Sequence, residues 1–347
     1  MKRLLAVAAL FWGIGSTTVF ADGLKSVLSH KLAQPNNTPG MVNIDAIHAP
    51  AKRKVVKRHR SRSPKAVVAV VNGRKLKKRK LDAYLSKRTH GKIKDFDLLP
   101  KKQRIALIRE MMLPSVIAYK AKKALSKEEQ EKVFTGAWMA KSIDNTKVSD
   151  EELNAAYDTI VAQAKAQTPL QQVPPLKEIK TRLRRQVAQQ KVIAKLMEGV
   201  EVRVAQEPGE IAGYIGMLPV EVKEANEVIK KVTHTQKTWD DISPQEKIQL
   251  LQMIAPSKMV TLAAKNDLTK KEKQNALSNY WIQQQLQNVK VSEKEIKRRY
   301  AKLKKQKRKS KKKKLPSYDK IKESLKMQIA NEKFMKNLLK TTRVKLK

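Results

Sequence analysis

Apolar positions along this chain follow two rhythms. Over most of its length they recur at i, i+3 and i+4, the spacing of a single helix face. At a few short places they crowd instead into β-branched runs. Ala66-Val67-Val68-Ala69-Val70-Val71 is one such run, and Asn72-Gly73 behind it reads as a turn closing a strand. Leu81, Tyr84 and Leu85 then mark a helix face. After Pro100, Ile105, Ile108 and Met112 line another, until Pro114 is expected to break or kink it by removing a backbone donor. Ser126-Lys127-Glu128-Glu129 has the form of a capping box, as does Ser149 to Glu152. Ile179, Leu183 and Val187 carry a long helix from about Lys177 to Met197, stopped at Gly199, and Val200 to Val204 reads as a second strand.

The same series then begins again. Glu210 to Ile215, closed by Gly216, answers the first strand; Thr89-His90 returns as Thr233-His234, Pro100 as Pro244, and Pro114-Ser115 as Pro256-Ser257. Trp138 returns as Trp281, Tyr157 as Tyr300, and the capping boxes as Thr269 to Glu272 and Ser292 to Glu295. Ile179, Leu183, Val187 and Leu196 match Ile321, Leu325, Ile329 and Leu338, and Val202-Arg203-Val204 matches Val344-Lys345-Leu346. A period this long is a duplicated domain and not a solenoid unit. A lone strand leaves backbone groups unsatisfied. Val67 to Val71 is therefore expected to pair with Val200 to Val204, and Ala212 to Ile215 with Arg343 to Leu346. The expected fold class is mainly α: two tandem helical domains, 66–205 and 206–347, each closed by a short two-stranded β pairing of its ends.

The first residues bear on compartment. Lys2-Arg3, the apolar stretch Leu4 to Ile14 and the segment ending Val19-Phe20-Ala21 form the three-part pattern of a secretory signal, residues 1–21, with cleavage expected after Ala21. A buried helix or a single membrane anchor is the competing reading, but the apolar stretch falls short of the roughly 20 residues a spanning helix needs. Residues 22–65 lack periodicity and carry turn chemistry at Pro35 to Gly40, then Lys52-Arg53-Lys54 and Lys57 to Lys65. Like charges at that density repel, so this segment reads as a disordered basic arm. The chain has no cysteine, which suits an oxidising compartment in which no disulfide is needed.

Charge narrows the partners. Against 32 Asp+Glu stand 76 Lys+Arg, a formal net charge of +44. Such an excess attracts polyanions. For an exported protein these are anionic lipid, lipopolysaccharide or acidic chains, and nucleic acid is not expected. An adaptation of surface charge to the medium explains the excess equally well. The candidate polyanion contacts are Arg58, Arg60 and Arg62 on the arm and Lys311, Lys312, Lys313 and Lys314 in the second copy, where ten of the thirteen residues from Lys302 to Lys314 are basic. That stretch reads as a solvated loop.

Catalytic chemistry finds no foothold. The five histidines, His30, His48, His59, His90 and His234, are scattered, and no metal-ligand spacing, phosphate-cradling glycine loop or nucleophile motif occurs. No cofactor or metal is expected. The paired His90 and His234 read as helix-end residues kept by duplication before they read as pH sensors.

Three features in order, Val70-Val71-Asn72-Gly73 leading into a helix, Val148-Ser149-Asp150-Glu151-Glu152-Leu153 with Tyr157, and the long closing helix ending in Val-x-Val, resemble the chaperone domain of the SurA family, which PpiD and PrsA share. The resemblance covers both repeats. It implies a periplasmic, ATP-independent chaperone that holds unfolded exported or outer-membrane proteins. In that family a parvulin prolyl isomerase commonly follows the Tyr of the motif. Here only Asp158 to Pro174 and Ala301 to Leu315 stand there, without parvulin signatures. The resemblance therefore withholds isomerase activity, leaving a family protein without its catalytic domain as one alternative and a cationic envelope protein as another. Adaptable apolar surface for clients is assigned to Met111, Met112, Met139, Met253 and Met259, with Trp138, Tyr280 and Trp281. Ordinary packing in the helix core is the competing reading for each.

Overall fold

A computed structural model describes residues 61–167, 173–234, 237–309 and 316–347. The proposed signal peptide, residues 22–60 of the arm, and Lys311 to Lys314 lie outside the described residues. In chain order the elements are β1 (Val67–Val71), β2 (Arg74–Lys77), α1 (Lys78–Arg88), α2 (Lys101–Ala124), α3 (Lys127–Asn145), α4 (Asp150–Gln167), α5 (Leu176–Met197), β3 (Val202–Val204), β4 (Ile211–Ile215), β5 (Leu218–Glu221), α6 (Val222–Thr233), α7 (Pro244–Asp267), α8 (Lys270–Gln287), α9 (Glu293–Lys309), α10 (Tyr318–Thr341) and β6 (Val344–Leu346). Helix dominates, as the periodicity requires.

The strands pair otherwise than the repeat suggests. β1 lies between β2 and β6, with Val71 opposite both Arg74 and Val344. β4 lies between β3 and β5, with Ile215 opposite Val202 and Leu218. The expected closure of each repeat on itself is thus replaced by an exchange: the strand ending the first copy joins the strand opening the second, and β1, which opens the first copy, joins β6, which ends the second. The connection from Val204 to Ile211 explains this, because neighbouring strands joined by a short loop close at little entropic cost. Once β3 is taken, β1 has only β6. Each sheet also gains a third strand. Asn72 and Gly73, both at positive φ, make the two-residue turn from β1 to β2, and Gly216 at positive φ opens the one from β4 to β5.

The contacts accordingly divide the described chain into a continuous unit, 126–276, and a split unit formed by 61–125 with 277–347. In the continuous unit Ala212, Ile215 and Val220 of the sheet, Ala225 and Ile229 of α6, Trp239, and Leu250, Leu251, Ile254 and Ala255 of α7 form one core. In the split unit the counterparts Val68, Val71, Leu76, Leu81, Leu85, Phe96, Leu107, Ile108 and Met112 are buried. A helical hairpin recurs too. Leu153, Leu183 and Val187 join α4 to α5, and Ile296, Leu325 and Ile329 join α9 to α10. The inferred capping boxes form at Ser126, Ser149, Thr269 and Ser292, and another stands at Ser243.

The break allowed for at Pro114 does not occur, and the match of Pro114-Ser115 with Pro256-Ser257 shifts by one residue. Neither Pro114 nor Pro256 ends its helix; α2 and α7 each run 24 residues through them. Each proline deletes one donor in a helix otherwise held by packing, which the rest of the ladder tolerates. The prolines also stand one residue out of register. Counting from the helix starts at Lys101 and Pro244, buried Pro256 matches buried Leu113, and exposed Pro114 matches exposed Ser257. One residue turns a helix by about 100°, so the two rings face different surroundings.

Backbone proximity singles out Gly213 on β4. A Cβ there would run into the Arg203 carbonyl oxygen and would lie 2.5 Å from Leu251 Cδ1. Gly213→Ala is expected to destabilise the continuous unit by about 1–3 kcal/mol through forced displacement of strand or helix, read as a lower urea midpoint. An unchanged midpoint would show that the approach is slack.

Candidate binding surfaces

A charge cluster opens the split unit. Lys78, 4% exposed, places Nζ 2.9 Å from Asp82 Oδ2 and 2.6 Å from Asp95 Oδ1. Asp82 also accepts the Phe96 N–H at 2.8 Å, so it fixes the turn before α2. Beside it Arg62 donates its backbone N–H to Asp97 Oδ2 at 3.0 Å and its Nε to Oδ1 at 3.1 Å, and its Nη1 reaches the Lys347 carbonyl. Burial alone pushes the Asp97 carboxyl up, yet Arg62 outweighs it and holds the group below the usual range. Asp95 is likewise held low, by Lys78 against the upward push of burial. Arg62 is therefore not a free cation of the arm: a buried carboxylate needs a partner, and Arg62 supplies it. The last residues of the expected disordered arm are tied down with it, the Pro64 carbonyl accepting the Arg79 N–H.

The continuous unit builds the same corner without the buried lysine and its two carboxylates, and Asp241 caps Thr238 there instead. Val222 stands where Lys78 does, Asn226 accepts the Trp239 N–H at 2.6 Å as Asp82 accepts that of Phe96, and Thr238 replaces Asp95. The hydrogen bond that positions the aromatic is kept, and the ion pair around it is not.

Most of the residues assigned to clients serve the core. Trp138 packs with Val260, Ala264 and Leu268, with Met139 beside them, and its Nε1 donates to Asp267 at 2.9 Å. Met112 and Trp281 are buried, the latter edge-to-face with Phe334. Met253 and Met259 pack against the sheet core, and Met111 is half-buried. Tyr280 alone of the set is exposed. Sequence reasoning missed other exposed apolar groups: Leu98, Tyr119, Met327 and, above all, Met217, 96% exposed on the turn between β4 and β5. Gly216-Met217 directly after a strand is the signal that locates it, since a two-residue turn puts its second side chain at the tip.

Of the polyanion candidates, Arg58, Arg60 and Lys311 to Lys314 lie outside the described residues. The basic stretch before them is not a loop, because α9 continues to Lys309. Among the described residues no group of acidic or histidine side chains is arranged to hold a metal ion, and no helix is long and apolar enough to cross a membrane. Comparison with protein-family models, with curated proteins and with solved structures found no match for this chain.

Proposed function

We propose that the chain is an exported, ATP-independent chaperone that holds unfolded exported or outer-membrane polypeptides. The observation that carries this reading is the closure after the motif tyrosines. Tyr157 Oη donates to the Pro174 carbonyl and Tyr300 Oη to that of Pro316, each at 3.1 Å. At the point where SurA-like proteins carry an isomerase, both copies keep the helical hairpin and tie it off over a short connection. What remains on offer to a client is apolar surface: Met217, Leu98, Tyr119, Tyr280 and Met327. Two of these are methionines, which adapt to varied partners.

The test is aggregation suppression by the mature chain, without nucleotide, on an unfolded outer-membrane protein. Suppression is expected to persist at high salt, since apolar contacts survive screening, and no catalysis of prolyl isomerisation on a short peptide is expected. Failure to suppress aggregation at excess chaperone would refute the reading. Suppression that vanishes with salt would favour a cationic envelope protein instead.

A further inference from the structure

We infer that the outer face of α9 is an electrostatic docking surface for anionic phospholipid, present in the second copy and absent from the first. The inference is independent of client holding. Helix α9 turns Ile296, Tyr300 and Leu303 toward α10, where they pack with Leu325, Ile329, Tyr318 and Ile321. Its acidic residues are spent on that inner side. Glu295 accepts from Lys333 at 2.8 Å, Glu293 accepts from the Tyr318 hydroxyl at 2.6 Å, and Arg299 pairs with Glu332. Opposite the buried stripe, Lys294, Arg298, Lys302 and Lys305 recur at intervals of four, four and three, which places them in one row on one face. All four are exposed, and among the described residues none forms an ion pair.

The first copy provides the control. Helix α4 has the same inner contacts: Leu153 and Tyr157 face α5, and Glu152 takes Lys191 as Glu295 takes Lys333. Where α9 presents Lys294, Arg298, Lys302 and Lys305, α4 presents Glu151, Ala155, Thr159 and Ala162. The scaffold does not need the cations, so their row answers to something outside it. From Lys294 to Lys305 the row is about 16 Å long on a straight rise, and it is matched by a flat anionic surface. Aromatic side chains that would stack bases are not on this face. Tyr300 and Tyr318 pack edge-to-face at 5.4 Å on the inner side, which argues against a single-stranded nucleic acid. The large apolar side chains of α9, Ile296, Tyr300 and Leu303, point inward, so the contact is peripheral and screened by salt.

Flotation of the full mature chain with phosphatidylcholine vesicles containing phosphatidylglycerol tests this at low salt. Binding is expected to the anionic vesicles and not to pure phosphatidylcholine. The variant Arg298→Ala, Lys302→Thr, Lys305→Ala carries the residues α4 already has, so its helix is expected to persist by circular dichroism. Its vesicle partition is expected to fall about tenfold or more, each surface cation contributing to attraction. A charge-keeping variant, Arg298→Lys with Lys302→Arg, is expected to bind as the parent does. Four results would overturn the inference. They are undiminished binding by the triple variant, loss of binding only when Lys52 to Lys65 is deleted, tighter capture by a single-stranded oligonucleotide than by the vesicles, and displacement by soluble glycerol phosphate at matched phosphate concentration.

Discussion

Residues 126–276, expressed alone, are expected to melt cooperatively, whereas residues 66–205, a full sequence repeat, are not. The continuous unit contains both neighbours of its central strand β4 and the whole core around Leu251 and Trp239. The repeat fragment holds β1 and β3, which belong to different sheets, and lacks β6 and β4. It would leave the helices α3 to α5 without α7 and the pair β1–β2 without its third strand. A two-stranded ribbon is marginal by itself. Sharp thermal unfolding of 126–276 beside a broad, featureless profile for 66–205 is the expected outcome. Cooperative unfolding of 66–205 would mean that its strands can close on each other and that the exchange is optional.

The second large effect concerns Lys78. Lys78→Val alone is expected to cost about 1–3 kcal/mol, because it strands the Asp82 and Asp95 carboxylates in partly buried surroundings. Lys78→Val with Asp82→Asn and Asp95→Thr is expected to recover most of that loss, since it writes in the Val222, Asn226 and Thr238 of the other unit. Replacing a buried ion pair whole is often close to neutral, and breaking it by halves is not. Urea unfolding of the two variants beside the parent measures this, and equal destabilisation of both would contradict it. Acid adds a further check. Asp95 is held below its ordinary value in the folded chain. The stability it contributes is present above its unfolded pKa of about 4 and is lost as pH falls through the lowered folded value. The triple variant, which has no carboxyl at 95, is expected to lose less stability over that window.

Helices and caps were legible because each rests on local spacing: Ser149 and Glu152 are three residues apart whatever the rest of the chain does. β2 was not, since Arg74-Lys75-Leu76-Lys77 offers one buried side chain in four and reads as surface. Strand partnership was illegible for a different reason. Val202-Arg203-Val204 and Val344-Lys345-Leu346 have the same pattern of half-buried and exposed positions, so either could complete either sheet. Connectivity decides, and the short link to β4 is the deciding term. In a chain with so many cations, Lys78 and Arg62 look like their neighbours, and their distant carboxylate partners, Asp95 and Asp97, are brought to them by the turn around Phe96 to Leu98. The buried tryptophans illustrate the converse: Trp138 and Trp281 hold equivalent places because both copies need them for packing, which periodicity alone cannot separate from exposure.

The β1–β6 pairing also imposes an order in time. On a chain that emerges from the N-terminus, β1 waits with one edge open until Val344 to Leu346 arrive and Lys347 N–H reaches the Val68 carbonyl at 3.0 Å. The 126–276 unit has all its strands well before that. Vectorial synthesis or export would therefore complete the continuous unit first and the sheet of the split unit last. Any product interrupted upstream of Val344 would carry an apolar strand with an unpaired edge, a template for aggregation.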